Sequence, residues 1–277
     1  MVASLRRRAG AAVAGVLLGL LAVGCSGSGA AGTFTPRTRG TLTVATAQIP
    51  DPGFWYGSAK HPTGGFEYGL ARALAARFGL ARVKVIVVPF ARLVAGELEG
   101  ADLALSDITV TAARARHVSF SSAYLAAPPS ILVRPGTQVA DVHAAQELRW
   151  AVQRGTTLQE ALADTIHPAR APLVFAHQHE ALRALRSGRA SAVMLDLPVA
   201  LAYARESPAS YAVAAQLPSE DVLAAALPHG SENLEAVDSA IRAFSEDGTI
   251  ERLGRRWLHT SLHEGAAEQV PALRVEE

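Results

Sequence analysis

The sequence predicts an α/β protein, and three observations carry that reading. Short apolar or β-branched runs at residues 41–46, 83–88 and 102–106 alternate with segments of helical period. Glycine-terminated connections join them in the order βαβαβ, which calls for a sheet covered by helices. The chain has 277 residues and a single cysteine. It is therefore long enough for two lobes, and it must be held by a buried core rather than by an intramolecular disulfide.

Taken in order, Arg6, Arg7 and Arg8 precede an apolar run over residues 11–23. A charged start and an apolar run too short to span a bilayer comfortably have the form of an export signal. The run ends in LAVGC at residues 21–25, which resembles a bacterial lipobox. That resemblance implies a lipoprotein signal peptide over 1–24, diacylation of Cys25, and a protein tethered to the membrane. Loss of residues 1–24 removes three arginines and no acid from 26 basic and 25 acidic residues, which changes the formal charge from +1 to −2. No basic patch remains to suggest nucleic acid. Residues 25–39 are expected to be a flexible tether; within them the fourteen residues 26–39 are small, polar and aperiodic and reach roughly 20 Å.

Residues 41–46, TLTVAT, alternate and are β-branched, predicting a strand. Residues 47–65 are irregular and carry Phe54, Trp55 and Tyr56 in succession. All three cannot face a core from one strand, so at least one is expected at the surface or in a cleft. Leu70, Leu74 and Phe78 recur every fourth residue on one helix face, which Gly79 ends. A second strand at 83–88 is followed by Phe90 and Arg92. The strand at 102–106 delivers Ser106, Asp107 and Thr109 at its carboxyl end, where open α/β sheets place ligands. Thr111 is placed to cap a short helix, and Arg114 in its first turn can point back at the strand end. An arginine beside hydroxyls suits a carboxylate, which it grips bidentately.

Beyond Pro128 and Pro129 a short strand at 131–133 precedes a new βα unit beginning at Trp150. Its turn, Gly155-Thr156-Thr157, opens a helix with exposed N–H groups and hydroxyls that could hold an anion. A plain N-cap needs only one of the two threonines. The apolar strand 192–196 ends on Asp196, which is either a helix cap or a ligand group. Residues 222–227 form an apolar run. Leu234, Val237, Ile241 and Phe244 then mark a helix, and Asp247-Gly-Thr249 starts a last one carrying Ile250, Leu253 and Trp257. Residues 263–277 show no period and read as a loose tail.

Asp102, Ser106, Ile108, Thr109, Thr111, Arg114, Val118, Phe120, Ser121 and Tyr124 together resemble the family 3 extracellular solute-binding proteins, the polar-amino-acid receptors of ABC importers. Gly65-Phe66-Glu67, the Gly-Thr-Thr turn, the strand ending on Asp196 and the DGT-x-x-x-L-x-x-x-W closing segment are similar to the same family, in the same order. The resemblance spans roughly residues 40–260. It implies a two-lobed periplasmic-binding-protein type II fold with two crossover hinge strands: lobe I at 40–130 and 226–262, lobe II at 131–225. It implies capture of an amino acid or similar small zwitterion by hinge closure for an ABC permease, by a monomer that is not an enzyme and uses no cofactor or metal. Arg114, Thr109, Ser106 and Asp107 are the implied lobe I ligand residues. Thr156, Thr157, Gln153 and Asp196 are those of lobe II, with Asp196 on the α-ammonium. The loop carrying Phe54 and Trp55 is the implied aromatic wall, and Phe90 stands where the family often puts a cleft residue. Departures are Gly69 and Ser191 where the family has acids, and Ala47 where some relatives have one.

Two rival readings accompany this one. A dehydratase or lyase on the same scaffold needs an acid or base at the ligand, for which Asp107 and Glu67 are the candidates. A signalling or structural lipoprotein would keep the fold without a ligand. Fold does not decide between them. His177, His179 and Glu180 lack metal-site spacing and are expected at the exposed start of a helix. No Walker or dinucleotide motif follows any strand, and no nucleophile motif is present.

Overall fold

The computed structural model describes residues 32–259 and 270–274. The signal-peptide reading of 1–24 and the acylation of Cys25 lie outside the described residues.

The first half builds β1 (Thr41–Thr46), a small hairpin of β2 (Tyr56–Gly57) and β3 (Pro62–Gly64), α1 (Phe66–Arg77), β4 (Arg82–Val87), α2 (Phe90–Val94) and β5 (Leu103–Ala104). A single 3₁₀ turn, Arg114–Arg116, leads into β6 (Val118–Ala126). The second half holds β7 (Pro129–Val133), α3 (Val142–Gln146), β8 (Trp150–Gln153), α4 (Thr157–Ala161), β9 (Leu173–Phe175), α5 (Gln178–Arg186), β10 (Ala192–Asp196), α6 (Leu197–Glu206) and β11 (Ala212–Gln216). β12 (Val222–Pro228), α7 (Leu234–Glu246) and α8 (Thr249–Leu253) follow.

Two five-stranded sheets result, in the orders β4-β1-β5-β12-β6 and β11-β7-β10-β8-β9. In the first, β1 is parallel to β4 and β5, and β12 runs antiparallel to β5 and β6. In the second, β8 is parallel to β9 and β10, and β7 runs antiparallel to β10 and β11. The helices cover these sheets with the faces the periodicity marked. Leu70 and Leu74 of α1, and Val237 and Ile241 of α7, are fully buried.

The crossings fall earlier than the sequence reading put them. The chain leaves the first sheet at Ala126 and enters the second at Pro129, so Pro129 and Ser130 belong to lobe II rather than lobe I. The return lies at residues 217–221. β12 pairs with β6 from Val222↔Ala126 onward, which puts residues 222–225 in the first sheet and not the second. A continuous apolar run carries no mark of where its pairing begins.

Both expected loose ends are partly docked. Within the tether, Phe34 stacks on Phe78 with ring centroids 4.3 Å apart. Thr35 exchanges hydrogen bonds with the Asn233 side chain, and Asp102 accepts from the Arg37 and Thr43 N–H groups at 2.7 Å. In the expected tail, residues 270–274 lie along the edge of the second sheet. Pro271 O accepts from Gln216 N, Leu273 N donates to Gln216 O, and Arg274 O accepts from Val142 N. Leu273, 3% exposed, fills the apolar cluster around Trp150, Leu162 and Leu217. A short segment that lends one apolar side chain to an existing core leaves no periodic signal of its own.

Leu273→Ala is expected to cost about 2–4 kcal/mol of unfolding free energy in a urea titration. A change under about 0.5 kcal/mol, the range of surface substitutions, would show that the segment does not hold this position in solution.

Candidate functional site

The carboxyl ends of β1, β5, β8 and β10 converge on one cleft between the two sheets, and the pocket there gathers nine of the eleven predicted ligand residues. Phe90, Ser106, Asp107, Thr109 and Arg114 line it from the first lobe, and Gln153, Thr156, Thr157 and Asp196 from the second. The parallel strands explain the convergence, because they deliver successive loops to the same edge of each sheet.

Arg114 is buried at 8% exposure, with its guanidinium 5.2 Å from the centre of the Phe90 ring. It donates to Thr109 O at 2.9 Å and, across the cleft, to Gly155 O at 3.4 Å. Its backbone N–H donates to the Thr111 hydroxyl at 3.1 Å, although Ala113 and not Thr111 is the N-cap of the turn that begins at Arg114. The fork is thus aimed by a carbonyl and an aromatic face, with donors left for an anion. The two threonines of the Gly-Thr-Thr turn divide their work. Thr156 caps α4, accepting from Gln159 N while donating to Gln153 O. Thr157 Oγ1 faces Thr109 Oγ1 across the cleft at 3.3 Å. Ser106 is spent on the scaffold: its hydroxyl accepts from Ala47 N at 2.8 Å and ties the end of β1 to that of β5.

Two aspartates share the pocket with the guanidinium. Asp107 and Asp196 each bury an Oδ1 that finds no hydrogen-bond partner among the described residues. Burial, and then the charge of Asp196, push the Asp107 carboxyl well above the usual carboxylate range. Burial raises Asp196 to about 7, opposed first by a hydrogen bond with Asp107 and then by the Arg114 charge. Two carboxyls this close cannot both ionise freely, so the pair holds a proton unless a cation enters.

The placement of Asp107 depends on Glu67. This glutamate is fully buried in the first lobe and accepts from Trp55 Nε1 at 2.6 Å, Tyr124 OH at 2.6 Å and the Asp107 N–H at 2.8 Å. Asp107 has φ 54, a left-handed conformation that aspartate tolerates better than most residues. Glu67 itself reaches the core because Gly65 (φ 115) lets the chain pass the Phe54 carbonyl; a Cβ there would lie 2.0 Å from that oxygen. Gly69, the departure noted above, meets Leu253, whose Cδ2 would stand 2.5 Å from an added Cβ.

Phe54 and Trp55 do not form the expected aromatic wall. Both are fully buried in the first-lobe core and neither lines the pocket. Trp55 follows its indole N–H to Glu67, and Phe54 packs edge-on against Phe66. Among the three consecutive rings, Tyr56 is the one that reaches the other lobe, hydrogen-bonding Glu206. Sequence reasoning missed Asp51, Gln48, His177 and Gln178, which also line the pocket. Asp51 and Gln48 belong to an aperiodic, proline-rich loop, whose direction no pattern encodes. Among the described residues no group of three or more His, Cys, Asp and Glu is placed to hold a metal; His177 and His179 stack on one another at the start of α5.

Direct contacts close the cleft. Besides the Thr109–Thr157 and Arg114–Gly155 pairs, Asp51 Oδ1 accepts from Gln178 Nε2 at 3.4 Å and from Tyr203 OH at 3.3 Å. Arg205 of α6 donates to Leu258 O at 2.9 Å and to Trp257 O at 3.3 Å.

Residues 42–260 match the model of the bacterial extracellular solute-binding proteins, family 3. The L-cystine-binding protein TcyJ of Escherichia coli (strain K12) is 25% identical over 225 residues, which cover 80% of this chain and 84% of that protein. A solved amino acid ABC transporter substrate-binding protein from Streptococcus pneumoniae, bound to L-arginine, superposes with a TM-score of 0.70 at 27% identity, covering 80% of this chain and 95% of that one. The ancestral amino acid-binding protein AncCDT-1, a precursor of cyclohexadienyl dehydratase, gives a TM-score of 0.68 at 29% identity over 79% of this chain and 96% of its own. These likenesses agree with the two-lobed type II architecture expected from the sequence.

Glu67→Ala is expected to destabilise the protein by about 3 kcal/mol or more, because it strands three buried donors. Burial raises the pKa of Glu67. Its contribution to stability is therefore complete at acid pH and declines as pH rises through the raised value. Denaturant unfolding at several pH values checks both: the wild type should lose more stability than the variant on going from acid to neutral pH, and equal losses would refute this role.

Proposed function

Because the chain belongs to the bacterial extracellular solute-binding proteins, family 3, we propose that its cleft captures an α-amino acid or a similar small zwitterion for an ABC importer. The observation that carries this reading is the presence, in one pocket, of the buried Arg114 guanidinium and two aspartates that each bury an Oδ1 without a hydrogen-bond partner among the described residues. A carboxylate on Arg114, beside the Thr109 and Thr157 hydroxyls, leaves an α-amino group at Asp196 and Asp107. Charge-assisted hydrogen bonds there are strong because water is excluded. Each lobe supplies half of the contacts, so the ligand stabilises the closed arrangement by interactions the open one lacks. Micromolar capture needs about −8 kcal/mol net.

Binding without turnover is the reading the site favours. Of the two acids considered for lyase chemistry, Glu67 is fully buried, does not line the pocket and is engaged by three donors, and Asp107, which does line it, is assigned here to the ligand's ammonium. The protein acts as a monomer on the outer side of the membrane, held there by diacylated Cys25. Two acyl chains give stable anchoring where one is marginal.

Arg114→Ala should weaken amino-acid binding by about 2–5 kcal/mol in calorimetry while leaving the circular-dichroism spectrum unchanged. Asp196→Asn should weaken an amino acid far more than its deaminated analogue. Equal losses for the two ligands would make Asp196 a structural cap. For the anchor, mass spectrometry of the mature amino terminus should find Cys25 acylated, and Cys25→Ser should release the protein from membranes. A mature form starting beyond Cys25 would exclude the anchor.

A further inference from the structure

The pocket contains more negative charge than an α-amino acid backbone accounts for. Three aspartates line it, Asp51, Asp107 and Asp196, against the single guanidinium of Arg114. A bound carboxylate neutralises Arg114, and a bound ammonium answers the Asp107–Asp196 pair. Asp51 is left over. It is 6% exposed, and the side chains that hydrogen-bond it are neutral: Gln48, Gln178 through Nε2 at 3.4 Å and Tyr203 through its hydroxyl at 3.3 Å. The charged groups that act on it are Glu67 and Glu206, both of its own sign. A buried carboxylate among like charges is costly unless a cation comes to it.

Its position sets it apart from the other two. Arg114 meets the second lobe at Gly155, before α4, whereas Asp51 meets it at Gln178 of α5 and Tyr203 of α6. The acids acting on Arg114 include Asp196 and Asp107, and those acting on Asp107 include Asp196 and Asp51. Asp51 therefore stands at a different part of the cleft from Arg114. The pocket that holds Arg114 and the aspartate pair also holds Asp51, so a side chain extending from an α-carbon bound there has this carboxyl in the same cavity.

We propose that Asp51 is the specificity-determining residue for the ligand's side chain, and that the ligand is an α-amino acid whose side chain ends in a cation. This rests on the reading of the cleft as an amino-acid site. The loop that carries Asp51 is held by the Asp51 N–H to Trp55 O hydrogen bond at 2.7 Å and by the return bond from Trp55 N to Asp51 O at 2.8 Å. The carboxyl is thus presented from a closed turn, and Gln178 and Tyr203 are already placed to hold its oxygen once it is ionised.

Burial raises Asp51 to about 7, with hydrogen bonds from Gln48 and Tyr203 opposing. A cation binds the ionised form, so its affinity falls as pH drops through that value. Asp196 titrates in the same range, and Asp107 and His177 also line the pocket, so the pH dependence of the ratio between cationic and neutral ligands is read in the wild type and in Asp51→Asn, and the part the variant loses belongs to Asp51.

The test is calorimetry of the wild type and Asp51→Asn with two matched pairs, arginine with citrulline and ornithine with glutamine. In the wild type the cationic member should bind at least about tenfold tighter than its neutral partner, as expected for a buried charge pair. That ratio should shrink between about pH 8 and pH 5.5 as the carboxyl takes up its proton. In Asp51→Asn, with an unchanged melting curve as the folding control, it should collapse to within about threefold. A neutral member binding the wild type as tightly as its cationic partner overturns the proposal while leaving the amino-acid reading intact. So does a ratio that survives in Asp51→Asn. Failure of all four ligands to bind the wild type overturns the amino-acid reading, and this inference with it.

Discussion

The cleft depends on a carboxylate that never faces it. Glu67 is buried without a cation, an arrangement tolerated only because a tryptophan, a tyrosine and a backbone amide all donate to it. The backbone amide is that of Asp107, and binding it fixes a left-handed residue at the mouth of the pocket. From there the chain can present Asp107 toward Asp196 and carry Thr109 and Arg114 along the opposite wall. The three consecutive aromatic residues also make sense from this centre. Trp55 serves Glu67, Phe54 packs below it, and Tyr56 alone turns outward to the other lobe.

The second constraint is charge. Buried carboxylates outnumber the guanidinium in the pocket, and burial holds each of them toward its neutral form. Such a site is costly when ionised and empty, and favourable when a ligand of complementary charge completes it. Closure is a matching problem, because the contacts that Thr109, Arg114 and Asp51 make across the cleft are long, at 3.3–3.4 Å, while Arg205 to Leu258 O and Tyr56 to Glu206 are closer. Weak direct contacts keep the closed arrangement close in energy to an open one, so that differential contact with a ligand can decide between them.

The family motifs made much of this legible. Strand runs, the helix stripes of α1 and α7, and the polar residues at strand ends follow from local chemistry, because each is written within a few neighbouring residues. Arg114, Thr109, Thr157 and Asp196 were findable for that reason, and the parallel order of the strands brought them together. The boundaries between lobes were not. The apolar run at 222–227 reads the same whether it pairs with β11 or β6, and only the register beginning at Val222↔Ala126 settles it.

What the sequence determined by itself is the set of groups with a local pattern: the α/β order, the helix faces, the arginine beside hydroxyls and the aspartate at a strand end. Tertiary structure decided the destinations of groups without a period. Phe54 and Trp55 went to the core because a buried carboxylate forty residues from Asp107 needed the indole N–H. Asp51 went to the pocket because a proline-rich loop folded back between α5 and α6. Residues 270–274 left the expected tail because a gap beside Gln216 accepted Leu273. In each case the partner lies far along the chain, and its free energy of burial or hydrogen bonding, rather than any neighbouring residue, fixed the outcome.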